Sequence, residues 1–380
     1  MKRRIKILQI GCSNFGIGGR SVAIYNMCDK LDSESFDIRF YADSVLENTK
    51  EYEQHLVKRG WGIDYCIVDH SNYIKREFET QIALKRLFKE NHYDIVHINA
   101  DTAWEATKFI IHAYKKAKII VHAHTTGNDS HRQFAIIKKI IYKIARKYIN
   151  SRVDVRLACS DEAANYLFGE NYRLNKIQIL NNAIDFERFK YNEKIRNKIR
   201  NKLQISDKKV IGIVGRMVPQ KNPFYMIDIF YELTKQDKNW ILMWIGDGPL
   251  KTDIQKKCRE FQLENKILFM GNRNDTNELY QAMDVFVLPS VYEGFGIVNI
   301  EAQASGLPCF ISNRVPQIVK VINNVEFLPI EKESAYWANQ ILHSDLKRET
   351  VSQRLFEEAG FDLLEVSNCL STLYKSMLKR

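Results

Sequence analysis

No run of eighteen apolar residues occurs in this chain, so no segment of the sequence reads as a membrane-spanning helix. The basic start Lys2-Arg3-Arg4 is followed by an apolar stretch too short for a signal peptide; 5–10 is expected to be a first buried strand instead. No low-complexity tract is present. The seven cysteines (12, 28, 66, 159, 258, 309 and 369) never form a Cys-x-x-Cys pair. Neither a disulfide framework nor a zinc site is therefore expected, and a reducing, cytoplasmic setting fits. The glycine loop Gly16 to Ser21 lacks the Gly-Lys-Ser/Thr of a Walker loop, and G-x-G-x-x-G spacing fails from Gly11 and from Gly16. P-loop and dinucleotide enzymes are thereby disfavoured.

What remains is an ordinary globular composition: 45% apolar and 27% charged residues over 380 residues, a length that favours two domains. The formal charge of +11 sits mainly in the first half, where residues 1–180 carry 29 Lys and Arg against 21 Asp and Glu. Nucleic acid or an anionic membrane surface could each explain that excess, but no nucleic-acid motif accompanies it. Short apolar runs at 5–10, 36–41, 63–68, 93–98, 118–123, 154–159 and 177–180 alternate with helical patterns such as 21–31, 78–91 and 102–116. The rhythm breaks over 181–207 and restarts with runs at 210–214, 240–245, 267–270, 285–288 and 308–311. This pattern predicts an α/β fold of two doubly wound, Rossmann-like domains: 1–183, a linker at 184–206, and 207–360, with a last helix at 361–380. In such sheets ligands lie beyond the carboxyl ends of the strands.

One helix, 132–149, sets Phe134, Ile137, Ile141, Ile144 and Tyr148 at helical spacing against Lys138, Lys139, Lys143, Arg146 and Lys147. It reads as a solvated outer helix; the alternative is contact with anionic lipid headgroups at the inner membrane face.

The chemistry concentrates at strand ends. Glu293, in a loop that opens through Gly294 and Gly296 into a helix, is followed eight residues later by Glu301. Helix amides between the two acids would hold an anion while the carboxylates accept bonds from hydroxyls; the plainer reading is helix-start charge. Upstream, Gly215 ends a strand and Arg216 and Lys221 follow, two cations that suit a diphosphate, where salt bridges would be the plainer reading for either alone. Gly18 and Gly19 allow close approach to a phosphate. His122 and His124 point to one side of a strand end; without a third ligand a metal is disfavoured, and His124 is expected to line a site while His97 and His122 suit a satisfied core. Gly246 to Pro249 and Gly271-Asn272-Arg273 are glycine turns that either read a nucleotide or simply turn.

Together these residues resemble the retaining glycosyltransferases of family 4, which have the GT-B fold, in the look of bacterial capsular and exopolysaccharide members. The resemblance implies two Rossmann-like domains facing a cleft, a final helix returning to the first domain, and a nucleotide-sugar donor, UDP-linked, on the second domain. It implies that Arg216 and Lys221 hold the donor diphosphate, Glu301 the ribose hydroxyls and Glu293 the transferred sugar. Amides of Phe295 and Gly296 would touch donor oxygens, those of Gly18 and Gly19 would face the phosphates, and His124 would line the sugar site. Gly215, Gly246, Asn272 and Arg273 would complete the donor site. No metal or other cofactor is implied. The acceptor would be a growing surface polysaccharide or lipid-linked glycan, with the enzyme cytoplasmic or peripheral at the plasma membrane. Two departures stand out: Gly-Phe-Gly follows Glu293 where capsular relatives often carry Gly-Leu-Pro, and Arg20 follows the glycine loop where many members have an acidic or small residue. Two other readings are a sugar-nucleotide 2-epimerase of the same fold and a non-catalytic sugar-nucleotide-binding partner.

Overall fold

Strands that are nearly continuous in Val, Ile, Leu and Phe cannot leave either face in water, and a parallel sheet covered by helices on both sides satisfies them. The computed structural model describes residues 3–12, 19–43, 49–68, 72–125, 135–170 and 176–379. It divides the chain into two compact units, one of Met1–Ala183 with Leu363–Arg380 and one of Ile184–Asp362.

In the first unit, β1 (Ile5–Ile10), β2 (Phe36–Ala42), β3 (Gly62–Tyr65), β4 (Ile95–Ala100), β5 (Lys118–Ala123), β6 (Val155–Ala158) and β7 (Gln178–Ile179) form one sheet ordered β3-β2-β1-β4-β5-β6-β7. Every pairing is parallel, with Ile5 opposite Phe36 and Ile7 opposite Ile95 across the first strand. In the second unit, β8 (Lys209–Val214), β9 (Trp240–Ile245), β10 (Ile267–Gly271), β11 (Val285–Leu288), β12 (Cys309–Ser312) and β13 (Val325–Leu328) are ordered β10-β9-β8-β11-β12-β13, again all parallel. Each sheet therefore winds outward from its first strand in one direction and then in the other, which creates a switch point between β1 and β4 and another between β8 and β11.

The expected strands are present, several with both ends unmoved and the rest with ends moved by no more than three residues; 154–159, for example, shortens to Val155–Ala158. β13 was not expected, because its Val-Glu-Phe-Leu sequence carries an exposed Glu326 on an edge strand. The helix expected at 78–91 begins earlier, at Tyr73, where the Asn72 side chain accepts from the Lys75 amide at 3.1 Å and so caps it.

The stretch 184–206, expected to be a linker, is instead part of the second unit. Its helices Phe186–Phe189 and Glu193–Leu203 are tied down through arginines. Arg200 Nη1 donates to the Ala282 carbonyl at 2.8 Å and to Asp284 Oδ2 at 3.1 Å, and Arg196 also pairs with Asp284. The charge that looked like a solvated connector is an internal anchor. The last helix, Leu363–Met377, belongs to the first unit: Leu363, Val366, Leu370 and Tyr374 join its core cluster, and Ser367 Oγ donates to the Met27 carbonyl at 2.8 Å.

Candidate functional site

At the switch point of the second sheet, β8 and β11 lie side by side, with Val285 opposite Ile211 and Phe286 opposite Gly212. From this point the chain runs on from β8 to β9 on one side and from β11 to β12 on the other, and the loops that follow β8 and β11 start at neighbouring carboxyl ends. Those loops carry the basic and acidic residues singled out by sequence.

The loop after β8 is held by glycines. Gly246, at φ +129, donates to the Gly271 carbonyl at 2.8 Å; a Cβ there would stand 2.3 Å from the Gly215 oxygen. A Cβ on Gly215 would lie 3.0 Å from Lys221 Cε, so the lysine stem runs along the glycine. Lys221 Nζ then donates to Glu293 Oε1 at 2.5 Å. The same oxygen accepts from Ser290 Oγ at 2.6 Å, while Gln220 Nε2 reaches Glu293 Oε2 at 3.4 Å. The Val291 amide donates to the Gln220 carbonyl at 2.8 Å, which stitches the two loops together. A carboxylate this buried needs a cation and donors around it, and it has them. An ammonium carries three N–H donors, so Lys221 retains donors beyond the one given to Glu293. Arg216 is exposed, and its charge opposes the upward push that burial and Glu293 exert on the Tyr292 hydroxyl.

After Glu293, Phe295 is buried edge-on against Phe361, with ring centroids 5.2 Å apart. Its side chain is an anchor, which leaves its amide for any ligand. Gly296 at φ +75 starts the helix Ile297–Ala304, which has no side-chain cap. An uncapped helix start offers free N–H groups to an anion. Glu301 lies within this helix, buried, with Tyr280 Oη donating to its Oε2 at 2.9 Å. Burial pushes its carboxyl up to about 7, against the Tyr280 bond and the Arg188 charge, which pull it down. The structure thus brings Lys221 and Glu293 into contact and sets Glu301 on the adjoining helix.

Other expectations fare differently. Arg273 is held in a two-pronged pair by Asp275, at 2.7 and 2.5 Å, so its guanidinium already has a partner. Asn272 beside it is exposed. Sequence reasoning missed Ser290, Gln220 and Tyr280, the partners of the two glutamates. It also missed Asn299, fully buried on the helix after Gly296, with both amide atoms unpartnered among the described residues. An Asn inside the apolar run Ile-Val-Asn-Ile was the available signal.

In the first unit, Gly18 lies outside the described residues, and Gly19 opens the helix Gly19–Asp29. Arg20 pairs with Asp101 at 2.9 Å and Glu105 at 3.4 Å, tying that helix to the segment after β4. His124 is buried, its Nε2 2.9 Å from Asn99 Oδ1. Its ring centroid is 4.1 Å from that of His122, which stacks on His97 at 5.5 Å. His97 Nδ1 is 2.7 Å from Tyr374 Oη, which also receives Gln9 Nε2 at 2.7 Å. Burial holds all three imidazoles well below the usual histidine range, His122 at about 3, so they are neutral. Among the described residues no group of three or more His, Cys, Asp or Glu is placed to hold a metal ion, and no helix is long and apolar enough to cross a membrane.

Two family models match, one in each half of the chain. Glycosyltransferase Family 4 covers residues 17–188 and Glycosyl transferases group 1 covers 195–353. The putative glycosyltransferase EpsF of Bacillus subtilis is 27% identical over 95% of this chain and 94% of its own length. An Escherichia coli enzyme, UDP-Gal:alpha-D-GlcNAc-diphosphoundecaprenol alpha-1,3-galactosyltransferase, is 28% identical over 63% of this chain and 62% of its own. The fold is shared with Anabaena HepE, crystallised with UDP and glucose, at a TM-score of 0.78 and 17% identity over 98% of this chain and 100% of that one. The chain thus matches a Glycosyltransferase Family 4 model in its first half and a Glycosyl transferases group 1 model in its second, on a fold shared with solved GT-B glycosyltransferases.

Proposed function

We propose that this chain is a retaining, metal-independent glycosyltransferase that takes a hexosyl or N-acetylhexosaminyl group from a UDP-sugar. The acceptor is a growing surface polysaccharide or a lipid-linked glycan. The observation that carries the reading is the contact of Lys221 with Glu293 at the β8/β11 switch point, with Glu301 buried on the adjoining helix. The UDP-sugar named for the Escherichia coli relative and the UDP bound by HepE support the donor class.

In this reading Glu301 accepts the ribose hydroxyls, and the amides at Phe295 and Gly296 meet donor oxygens. Arg216 and Lys221 neutralise the diphosphate as negative charge builds on it, the task that a divalent cation performs in other enzymes. Glu293 is gripped by Lys221 and Ser290, which orients it to accept hydroxyls of the transferred sugar. His124, held neutral in the first unit, is a further residue that the resemblance assigns to the reaction. The acceptor hydroxyl attacks the anomeric carbon as the bond to the β-phosphate oxygen breaks. Its proton passes to the departing phosphate, and the new glycosidic bond forms on the same face.

The test is incubation with a panel of nucleotide-sugars and a lipid-linked acceptor in the presence of a chelator, with the product's anomeric configuration read by NMR. The expected result is one glycosylated product with retained configuration and an equal amount of UDP. Epimerised donor without acceptor, an inverted anomer, or activity abolished by the chelator would contradict the proposal.

A further inference from the structure

The helix Ile297–Ala304 buries the polar side chains of Asn299, Glu301 and Gln303. Two of them are provided for. Gln303 Nε2 donates to the carbonyls of Asn299 at 3.1 Å and Val319 at 2.7 Å, and its Oε1 accepts from the Val321 amide at 2.8 Å. Glu301 receives the Tyr280 hydroxyl. Asn299 differs: its side chain is fully buried, yet neither Oδ1 nor Nδ2 has a partner among the described residues.

An amide withdrawn from water without hydrogen bonds costs free energy, and asparagine is a poor helix former. An aliphatic side chain, like those of Ile297, Val298 and Ile300 around it, would suit both demands better. The direction of the amide supplies a reason for its presence. Side chains on a helix lean toward its amino end, and Asn299 is the third residue of this one. Gly296, at φ +75, precedes the helix, and a Cβ built on it would stand 2.7 Å from Asn299 Nδ2 and 3.5 Å from Glu293 Cγ. The amide therefore takes the room that a side chain at 296 would need, beside the stem of Glu293. Gly296 itself is partly exposed, so a single glycine separates the amide from solvent. The helix start has no side-chain cap, and its first amides point to the same place. Backbone and side-chain N–H donors that converge there favour an anion.

We propose, on the strength of the donor-site reading given above, that Asn299 is a phosphate-binding residue of that site. When a nucleoside diphosphate reaches the helix start, Asn299 Nδ2 turns past Gly296 and donates to a phosphate oxygen. The ligand-free chain holds the amide without a partner and binding supplies one, so loss of the amide weakens binding without weakening the fold.

The test compares the full chain with Asn299→Leu, which keeps the branching and removes the polar atoms. The ligand-free variant is expected to unfold at a temperature no lower than the wild type. Calorimetric titration should show UDP bound about tenfold more weakly or worse. Uridine has no phosphate, and its ribose is held through Glu301 on the same helix. Its affinity, followed by ligand-observed NMR, should change less than twofold. If Asn299→Leu does not fold, Asn299→Asp at pH 8 decides: it has the same shape with an oxygen in place of Nδ2, and should show the same selective loss of UDP. A folded variant that binds UDP as strongly as the wild type would overturn the inference and leave the donor-site reading standing. Equal weakening of UDP and uridine would make Asn299 a packing residue and overturn it as well. A wild-type chain that binds no nucleoside diphosphate would end both.

Discussion

Glu301 meets any ligand partly protonated at neutral pH, because burial lifts its carboxyl to about 7. If its partner is a ribose diol, the ionised form must bind, since only that form accepts at both oxygens. UDP affinity should then rise between pH 6 and pH 8 by up to about tenfold. In Glu301→Gln the profile should be flat and binding weak throughout; calorimetric titration across that range checks both. The stability effect has its own sign. The folded carboxyl lies above its unfolded value of 4.5, so Glu301 favours the folded state most below that value and loses this contribution as pH rises through about 7. Lys221 is tied to the same reading. Lys221→Ala should lower kcat/KM roughly 10²–10³-fold and, by leaving the buried Glu293 without its cation, destabilise the second unit by on the order of 3 kcal/mol. Denaturant unfolding and steady-state kinetics read the two effects separately. The glutamate pair and the Arg216/Lys221 pair were legible in the sequence because charge at strand ends is local information. Tyr280, 21 residues from Glu301, and Gln220, 73 from Glu293, were not, because only the folded chain brings them together.

The glycine turns at the strand ends are conformational requirements. Gly246→Ala would force a Cβ into the Gly215 carbonyl at a backbone angle that alanine resists. The expected result is a loss of about 2 kcal/mol or more in second-unit stability, read by urea unfolding. In the first unit, β1, β4, β5 and the last helix share the network of Gln9, His97, Asn99, His124 and Tyr374. Its imidazoles are held neutral, with folded values below the unfolded value of 6.5. Their contribution is therefore full above 6.5 and is lost as pH falls from there toward about 3. The unfolding temperature should drop more steeply over that window in the wild type than in a His97→Gln, His122→Phe double variant. Calorimetric scans at stepped pH test this. Strand positions were readable because buried parallel strands are nearly unbroken apolar runs. The edge strand β13 and the folded stretch 184–206 were not, since Glu326, Arg196 and Arg200 mimic solvent-facing charge until their partners are known.

At the scale of the whole chain, continuity does not follow domain boundaries: the last helix completes the first unit although the entire second unit precedes it in sequence. Deleting residues 363–380 removes Leu363, Val366, Leu370 and Tyr374 from the first unit's core and leaves the second unit's strands intact. The first unit should unfold at much lower urea while the second keeps its transition, as two-probe unfolding would show. The doubly wound pattern made both sheets readable in advance; that the helix is needed by the first unit came from family resemblance and not from periodicity. The central claim is that the loops after β8 and β11 and the helix that follows them hold a nucleoside diphosphate through Lys221 and Glu301. Titration of UDP into the full chain, followed by heat release, tests it most directly. The account requires saturable one-to-one binding that weakens at least tenfold in Lys221→Ala and in Glu301→Ala. Binding of equal strength in all three proteins, or no saturable binding by any nucleoside diphosphate, would contradict it.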